Sequence, residues 1–187
     1  MSIAIIDYGA GNLFSVRQAF ARLGRQSILT NNEQEIRLAS HVVFPGVGHA
    51  GAAMKQLQKR GLDKLIPTLE QPVLGICLGM QLMCGWNEEG QLNGLGIFRT
   101  DVREMKPETG YPVPHMGWND VLIDGKVEAY YFVHSYAAEI CPESWGTAAY
   151  PEPFSAALKK DNFFGVQFHP EKSGIAGEQL LTQFLTQ

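Results

Sequence analysis

The feature that most constrains the fold is a single cysteine between two glycines, in the sequence Gly-Ile-Cys-Leu-Gly of residues 75–79. A short apolar run after Pro72 predicts a buried strand that leads into these residues, and a helix follows to about Cys84. A sharp strand-to-helix turn with small flanking residues is typical of a nucleophile elbow. Such a turn would place the Cys77 sulfur at a helix N-terminus, where the helix dipole favours the reactive thiolate. The backbone N–H of Leu78 would point to the same place and could stabilise an oxyanion.

A lone cysteine in an apolar run is more often an inert core residue than a nucleophile, so Cys77 needs a base nearby. Residues 163–168 predict a strand, and His169, Pro170 and Glu171 follow it directly. A histidine just after a strand lies at the rim where parallel sheets carry their sites, and Pro170 keeps it out of helical conformation. Glu171 could accept the second ring N–H of His169 and fix its tautomer. Either side chain alone could belong to an ordinary surface loop, but together with the elbow they predict a nucleophile, a base and an orienting residue.

Two stretches, residues 75–81 and 167–171, resemble the two signatures of the class I, or triad, glutamine amidotransferases. Four further stretches are similar, as a set, to one family within that group, the glutaminase subunits of imidazole glycerol phosphate synthase. These stretches are residues 7–12, 45–48, 116–119 and 131–136. The resemblance extends over nearly the whole chain.

This resemblance implies that the chain hydrolyses glutamine to glutamate and ammonia with Cys77, His169 and Glu171, and that it needs no metal or organic cofactor. It also implies a heterodimer with a (βα)8-barrel cyclase subunit. That subunit would use the ammonia to make imidazole glycerol phosphate and aminoimidazole carboxamide ribotide in histidine biosynthesis. The small-molecule substrate is glutamine, and neither a nucleic acid nor a membrane is expected as a partner.

Length and composition predict one globular domain over residues 1–187. The resemblance implies that it is a glutamine amidotransferase type 1 domain. Apolar residues make up 45% of the chain, charged residues 18%, and the formal charge is −4, which does not favour nucleic acid as the main partner. No apolar run approaches the about 20 residues of a membrane span, and the N-terminus shows no basic and apolar leader. Three widely spaced cysteines predict neither a disulfide framework nor a metal site, and they indicate a reducing cytoplasmic setting.

The order of predicted elements favours an α/β fold with a mostly parallel central sheet flanked by helices, and the family resemblance implies that this fold is of the flavodoxin-like type. Strands at 2–7, 26–30 and 41–44 alternate with helices through connections of the usual length. In the C-terminal half, short strands separated by proline and glycine predict an antiparallel extension. The predicted extension comprises residues 97–102, 118–122, 129–133, 145–150, 155–159 and 163–168, and an amphipathic helix at 175–185 ends the chain. The first and last helices are predicted to turn Phe14 and Ile175 inward.

The loop after the third predicted strand, Gly46, Val47 and Gly48, is predicted to supply the second oxyanion donor. In elbow enzymes this donor comes from the end of a neighbouring strand, although a plain turn would have the same sequence. Gln81 follows Cys77 by four residues and therefore shares its helical face, where it could bind the amide or the carboxylate of a small polar substrate. A surface glutamine would look the same.

The family resemblance adds three residues to the glutamine pocket. Glu89 matches the position that is expected to hold the α-ammonium group of glutamine. Ser135 and Tyr136 are expected to border the pocket through backbone contacts.

The same resemblance places Asn12, Trp118, Tyr131 and Lys172 at or near the interface with the cyclase subunit. The aromatic residues could equally belong to the core, which is the usual role of aromatic side chains in strands. The glycine-rich turn before Asn12 lacks the third glycine of a dinucleotide-binding fingerprint. His134 has no carboxylate close to it in sequence and is therefore assigned a structural role rather than the role of base.

Three other functions fit the sequence less well. A class I amidotransferase subunit of the anthranilate or pyridoxal phosphate type is disfavoured by the stretches at 116–119 and 132–136. A catalytically silent binding module with this fold is disfavoured by the intact Cys77, His169 and Glu171. A cysteine peptidase on the same fold is the weakest alternative, and activity on peptides would reveal it.

Overall fold

The computed structural model describes residues 2–187, and a mixed sheet forms its centre. Five strands run parallel to one another in the order β2-β1-β3-β4-β13. They are β1 (Ile3–Ile6), β2 (Ser27–Thr30), β3 (His41–Gly46), β4 (Val73–Cys77) and β13 (Phe163–Val166). The core strands β1, β3, β4 and β13 are buried along their whole length, as expected for apolar runs in a parallel sheet that is covered on both faces.

Helices cover both faces of this parallel part. They are α1 (Leu13–Arg22), α2 (Glu33–Leu38), α3 (Ala50–Lys59), α4 (Leu62–Leu65), α5 (Leu78–Met83) and α6 (Gly174–Phe184), with short 3₁₀ turns at Ile66–Thr68 and Pro170–Lys172. One apolar cluster joins the sheet to α1 and α6, and a second joins the opposite face to α2, α3, α4 and α5. The two clusters make a three-layer α/β fold that carries the end of β4 and the end of β13 side by side.

The rest of the sheet is mainly antiparallel and extends from β13. Its strands are β5 (Trp86–Asn87), β6 (Leu92–Asn93), β7 (Asp101–Glu104), β8 (His115–Ile123), β9 (Lys126–His134), β10 (Tyr136–Ala138), β11 (Ser144–Ala149) and β12 (Pro153–Lys160). From β13 the order continues β12-β10-β7-β5-β6, while β11 pairs with β12 and with β8, and β8 pairs with β9. The predicted fold class is therefore confirmed: a mostly parallel core with an antiparallel extension in the C-terminal half.

Two predicted core positions are wrong, because Phe14 is 70% exposed and Ile175 is 76% exposed. The buried stripe of α1 contains Val16 and Phe20, so Phe14, two residues before the stripe begins, lies on the opposite side of the helix. In α6 the buried stripe begins at Gly177, and Ile175 precedes it by the same two residues. In both helices the incorrect prediction concerns an apolar residue of the first turn that does not belong to the buried stripe.

The strand predicted at 97–102 is also misplaced. The structure has β7 at Asp101–Glu104, and the residues before it form bends. The two-residue strands β5 and β6 were not predicted, since elements this short leave no periodic pattern. Asp161 and Asn162 form the turn that connects β12 to β13, with a φ of +52° at Asp161.

Candidate active site

The site is built around Cys77, the last residue of β4, which α5 follows directly at Leu78. Cys77 has φ = 54° and ψ = −112°, a conformation that residues with side chains rarely adopt. Such backbone strain persists only where the surrounding structure enforces it, and it is concentrated at functional sites. The sequence-predicted nucleophile elbow is therefore present in the backbone geometry.

Glycines make the elbow possible because they let neighbouring segments of the chain pack closely against it. A Cβ added to Gly79 would overlap the backbone oxygen of Phe44, and one added to Gly75 would lie 2.6 Å from Met83 Sδ. Gly46, which pairs with Cys77 across the sheet, would bring a Cβ within 2.7 Å of the backbone nitrogen of Gly79. The end of β3 and the start of α5 thus approach each other as closely as two backbones can.

His169 lies beyond the end of β13, and its backbone is fixed by the neighbouring strand β9. Its N–H donates to the Tyr131 carbonyl at 2.9 Å, and the Ser173 hydroxyl donates to the His169 carbonyl at 2.6 Å. The Ser173 oxygen in turn accepts from the backbone N–H of Tyr131 at 3.0 Å. The ring is therefore presented from a backbone that is tied into the sheet rather than from a free loop.

Glu171 orients the ring of His169. Its Oε1 lies 2.8 Å from His169 Nδ1, and both side chains are buried. Because a carboxylate only accepts, Nδ1 carries the proton, and Nε2 is left without a hydrogen-bond partner among the described residues. Nε2 is thus the ring atom that remains free for proton transfer.

The electrostatics of the site favour a charged His169. Burial lowers its pKa, but the neighbouring Cys77 and Glu171 raise it, and the net effect is a pKa of about 10. A charged imidazole beside a sulfur and a carboxylate is the arrangement expected of a thiolate–imidazolium pair with an orienting acid.

A cavity of about 290 Å³ opens over Cys77 and brings together most of the predicted site residues. The predicted residues in its lining are Asn12, Val47, Gly48, Cys77, Leu78, Gln81, Glu89, Ser135, Tyr136, His169 and Lys172. Gly46 lies next to the cavity through its sheet pairing with Cys77, and Glu171 lies behind His169. Residues that are distant in sequence thus meet at the carboxyl ends of β3, β4 and β13, where open α/β sheets hold their ligands.

The oxyanion candidates Leu78, Val47 and Gly48 line the cavity together with Cys77. Leu78 is the first residue of α5, so its N–H has no partner within the helix. Gly48 has φ = 89° and lines the cavity together with Val47. A positive φ at Gly48 shows that this loop needs glycine for its backbone path.

Two of the predicted substrate contacts already make bonds within the protein. Gln81 Nε2 donates to the Tyr136 carbonyl and to Gln167 Oε1, both at 2.9 Å, which uses both of its hydrogens and leaves Oε1 for a ligand. Glu89 Oε2 accepts from the backbone N–H of Ala50, at the start of α3, at 2.6 Å. Its other carboxylate oxygen remains for a cation such as an ammonium group.

The predicted interface residues lie around and beside the mouth of the cavity. Trp118 is 59% exposed and makes an edge contact with Tyr131, and Lys172 Nζ lies 5.8 Å above the Tyr131 ring. Met116, two residues before Trp118 on the same face of β8, is 62% exposed. Asn12 accepts from the Ser15 N–H and so caps α1. Trp118 and Tyr131 do not line the cavity, but they are exposed or half-buried beside it.

Sequence reasoning missed the partner of His134. His115 Nδ1 lies 2.9 Å from His134 Nε2, and His134 Nδ1 lies 2.8 Å from the Tyr136 carbonyl. Burial lowers the pKa of His134 to about 3 and that of His115 to about 4, so both rings are neutral near pH 7. The prediction that His134 is not the base rests on sequence distance alone, and the structure gives a stronger reason, a neutral ring engaged on both nitrogens.

Three further cavity or site residues were not assigned a role from the sequence. Pro114 and Val133 line the cavity, and the buried side chain of Gln167 contacts Cys77. Gln167 lies within the signature at 167–171, which is the one signal that pointed to it. Pro114 and Val133 have no distinguishing pattern.

Residues 2–187 contain neither a metal-binding cluster nor a helix that could span a membrane. No group of three or more His, Cys, Asp or Glu side chains in that range is placed to hold a metal ion. Within the same part of the chain, the helices are too short or too polar to cross a bilayer.

Comparison with known proteins places the chain in a family. The model of the glutamine amidotransferase class-I family matches residues 4–187. A Bacteroides fragilis protein named imidazole glycerol phosphate synthase subunit HisH is 48% identical over 194 residues, with 99% of each chain covered. The subunit of the same name from Yersinia pseudotuberculosis is 46% identical over 197 residues, again with 99% of both chains covered.

Solved structures agree on the fold at much lower identity. A crystal structure of a glutamine amidotransferase has a TM-score of 0.76 and 15% identity, covering 98% of this chain and 97% of its own. The structure of PurLQS from Thermotoga maritima has a TM-score of 0.73 and 13% identity, covering 99% and 97%. The family match, the full-length relatives and the shared fold show that the chain belongs to the class I glutamine amidotransferases.

Proposed function

We propose that this chain is the glutaminase subunit of an imidazole glycerol phosphate synthase, acting as one domain in histidine biosynthesis. The observation that supports glutamine hydrolysis best is the convergence of Cys77, His169 and Glu171 on one cavity. The observation that supports this particular subunit is the full-length similarity to proteins named imidazole glycerol phosphate synthase subunit HisH.

The first half of the reaction is acylation of Cys77. The thiolate attacks the side-chain amide carbon of glutamine, and the N–H of Leu78 and the loop Gly46–Gly48 stabilise the tetrahedral oxyanion. His169, which is protonated because its pKa is raised to about 10, gives the Nε2 proton to the departing nitrogen. The C–N bond breaks, ammonia leaves, and a γ-glutamyl thioester remains on the sulfur.

The second half is hydrolysis of that thioester, and it needs His169 as a base. Once the sulfur is acylated, it no longer carries a negative charge that raises the pKa of His169. Burial, which lowers the pKa, then has more weight, so the neutral ring can accept a proton from water. Glu171 stabilises the charged ring that forms, and glutamate leaves as the thiolate is regenerated.

The glutamine pocket follows from the atoms that remain free in the cavity. The α-ammonium group is assigned to Glu89, and Gln81 Oε1 faces the same space as an acceptor. Ser135 and Tyr136 border the pocket, and Tyr136 is fixed through its carbonyl by both Gln81 and His134. The pocket is thus shaped by backbone that two buried side chains hold in place.

The ammonia requires a second subunit, because free ammonia becomes largely ammonium at neutral pH and stops being a nucleophile. We assign this role to a (βα)8-barrel cyclase subunit that docks over the mouth of the cavity and against Trp118. An exposed tryptophan and an exposed methionine on one strand face are typical of a surface that a partner covers. We assign Asn12 and Lys172, which line the cavity, to the same interface, together with Tyr131, which contacts both Trp118 and Lys172.

The experiment is to measure glutamate release by the purified chain, alone and with the barrel cyclase and its nucleotide ligand. We expect low activity alone, a rise of orders of magnitude in the complex, and loss of that activity in Cys77→Ala. Cys141→Ser is the matched control, since Cys141 is a half-buried cysteine outside the cavity. Absence of a rise with this cyclase would refute the histidine-pathway assignment, and activity that survives Cys77→Ala would refute the mechanism.

A further inference from the structure

The side chain of Gln167 makes direct contact with the sulfur of Cys77. Gln167 Nε2 lies 3.7 Å from Cys77 Sγ, and the residue is fully buried. Its amide nitrogen donates a hydrogen bond to this sulfur, which also faces the His169 ring. A polar group in the core must be compensated by hydrogen bonds, and the Gln167 nitrogen has the Cys77 sulfur as its partner.

The direction of the Gln167 amide is fixed by a chain of hydrogen bonds that starts at a backbone carbonyl. Tyr136 O can only accept, so the Gln81 atom that faces it at 2.9 Å must be the amide nitrogen. The same nitrogen donates its second hydrogen to Gln167 Oε1 at 2.9 Å. Gln167 therefore turns its nitrogen, and not its oxygen, towards Cys77.

The direction of these hydrogen bonds matters because the other near neighbours of the sulfur have opposite effects, the charged His169 ring favouring a thiolate and the Val133 carbonyl opposing it. The Val133 carbonyl oxygen lies 4.0 Å from Cys77 Sγ and would repel a thiolate. The N–H donor of Gln167 has the opposite effect to this carbonyl, because it favours the charged sulfur over the neutral thiol. The same donor would stabilise the sulfur when it leaves the thioester in the second half of the reaction.

We propose that Gln167 is a fourth catalytic residue, which holds the Cys77 sulfur as a thiolate by an N–H bond whose direction is set by Gln81 and the Tyr136 carbonyl. The effect on turnover rests on the proposed glutaminase function, whereas the effect on the sulfur does not. Because Gln81 also lines the cavity, this series of hydrogen bonds links the glutamine pocket to the nucleophile.

The test measures how the rate of Cys77 alkylation by iodoacetamide depends on pH. The full chain is labelled, and the label on each cysteine is then quantified in the peptide that contains it. Gln167→Met, which removes the donor, should move the midpoint of the pH profile up by about one pH unit, so that labelling at pH values below the wild-type midpoint falls about tenfold. Gln167→Glu keeps the shape and the bond from Gln81, but turns a carboxylate towards the sulfur, and it should move the midpoint further. Gln81→Leu, which releases the Gln167 amide to rotate, should give a smaller shift in the same direction.

Two controls separate this effect from a loss of packing. Val166→Ala removes apolar contacts one residue away on β13 and should leave the midpoint unchanged. Cys141, which is half-buried and outside the cavity, should label at the same pH in every variant. If Gln167→Met does not fold, Gln167→Glu decides alone.

The same variants are then assayed for glutamine hydrolysis in the complex with the cyclase. We expect kcat to fall about tenfold in Gln167→Met and the KM for glutamine to change less than about threefold, because the donor acts on the sulfur. An unchanged alkylation midpoint in both Gln167 variants would overturn the inference, whatever the loss in kcat. A wild-type complex that does not hydrolyse glutamine would reject the proposed function, and the alkylation series would still decide the role of Gln167.

Discussion

Two histidines line the same cavity and have opposite electrostatic properties. His169 lies after β13 against the Glu171 carboxylate, and its pKa is raised to about 10. His134 ends β9 against the His115 ring and a backbone carbonyl, and burial lowers its pKa to about 3. Both rings are buried, so the partner of each ring decides its charge.

This contrast divides the cavity into two parts with different tasks. Near His169, a charged ring, a carboxylate and a sulfur are arranged for proton transfer. Near His134, neutral rings hold the backbone at Tyr136 in place and add no charge to the glutamine pocket. A second charged imidazole there would repel the first and would weaken the proposed binding of the α-ammonium group of glutamine.

The largest expected effect comes from replacing each histidine by asparagine in the complex. His169→Asn removes the proton donor and should lower kcat by about 10²–10⁴-fold. His134→Asn removes a neutral positioning ring and should lower kcat/KM by less than about tenfold. Steady-state glutamate release measures both, and similar losses in the two variants would abolish the distinction between the parts.

A smaller effect is expected from Glu171→Gln, which keeps the shape of the orienting residue but removes its charge. The pKa of His169 should fall, because Glu171 is one of the two groups that raise it. We expect kcat to fall on the order of 10²–10³-fold, since the charged ring loses its stabilising partner. NMR titration of the imidazole measures the pKa, and a value that stays near that of the wild type would assign the shift to Cys77 alone.

His115→Phe tests the neutral pair. Phenylalanine keeps the stacking against Phe132 and Tyr150 but leaves His134 Nε2 buried without a donor. The free energy of unfolding should fall by about 1–3 kcal/mol, and the KM for glutamine should rise a few-fold as the backbone at Tyr136 loosens. Chemical denaturation and glutaminase kinetics check this, and unchanged stability would show that the pair is not needed.

The last expected effect is on the pH dependence of stability, to which the two parts contribute with opposite signs. His134 and His115 have folded-state pKa values below the unfolded value of about 6.5, so the unfolded chain binds more protons and stability falls as pH drops below 6.5. His169 has a raised pKa, so its contribution is complete below 6.5 and is lost as pH rises towards about 10. Urea denaturation should show a loss of about 2 kcal/mol between pH 6.5 and pH 5, and His115→Phe should reduce that loss.

The sequence predicted the parts of the site that local geometry determines. An elbow needs its glycines within two residues of the nucleophile, and Glu171 reaches His169 from two positions away, so short motifs contain both. The parallel core was likewise predictable, because its strands are continuous apolar runs.

The contacts that sequence did not predict depend on strand register. His115 and His134 face each other because β8 and β9 pair in one register, and a shift by one residue would separate them. Gln81 reaches Gln167 across 86 positions of the chain, which no local pattern encodes. The predictions for Phe14 and Ile175 are wrong for a different reason. Both residues lie in the first turn of a helix, where the sequence pattern does not show at which residue the buried stripe begins.

The exposed indole of Trp118 makes the protein its own optical reporter. Of the three tryptophans, Trp86 and Trp145 are half-buried, whereas Trp118 is 59% exposed on the face that we assign to the partner. Covering that indole moves it from water to an apolar surface, so its fluorescence should shift to shorter wavelength as the cyclase is added. An unlabelled titration can therefore follow assembly in real time, and Trp118→Phe supplies the blank.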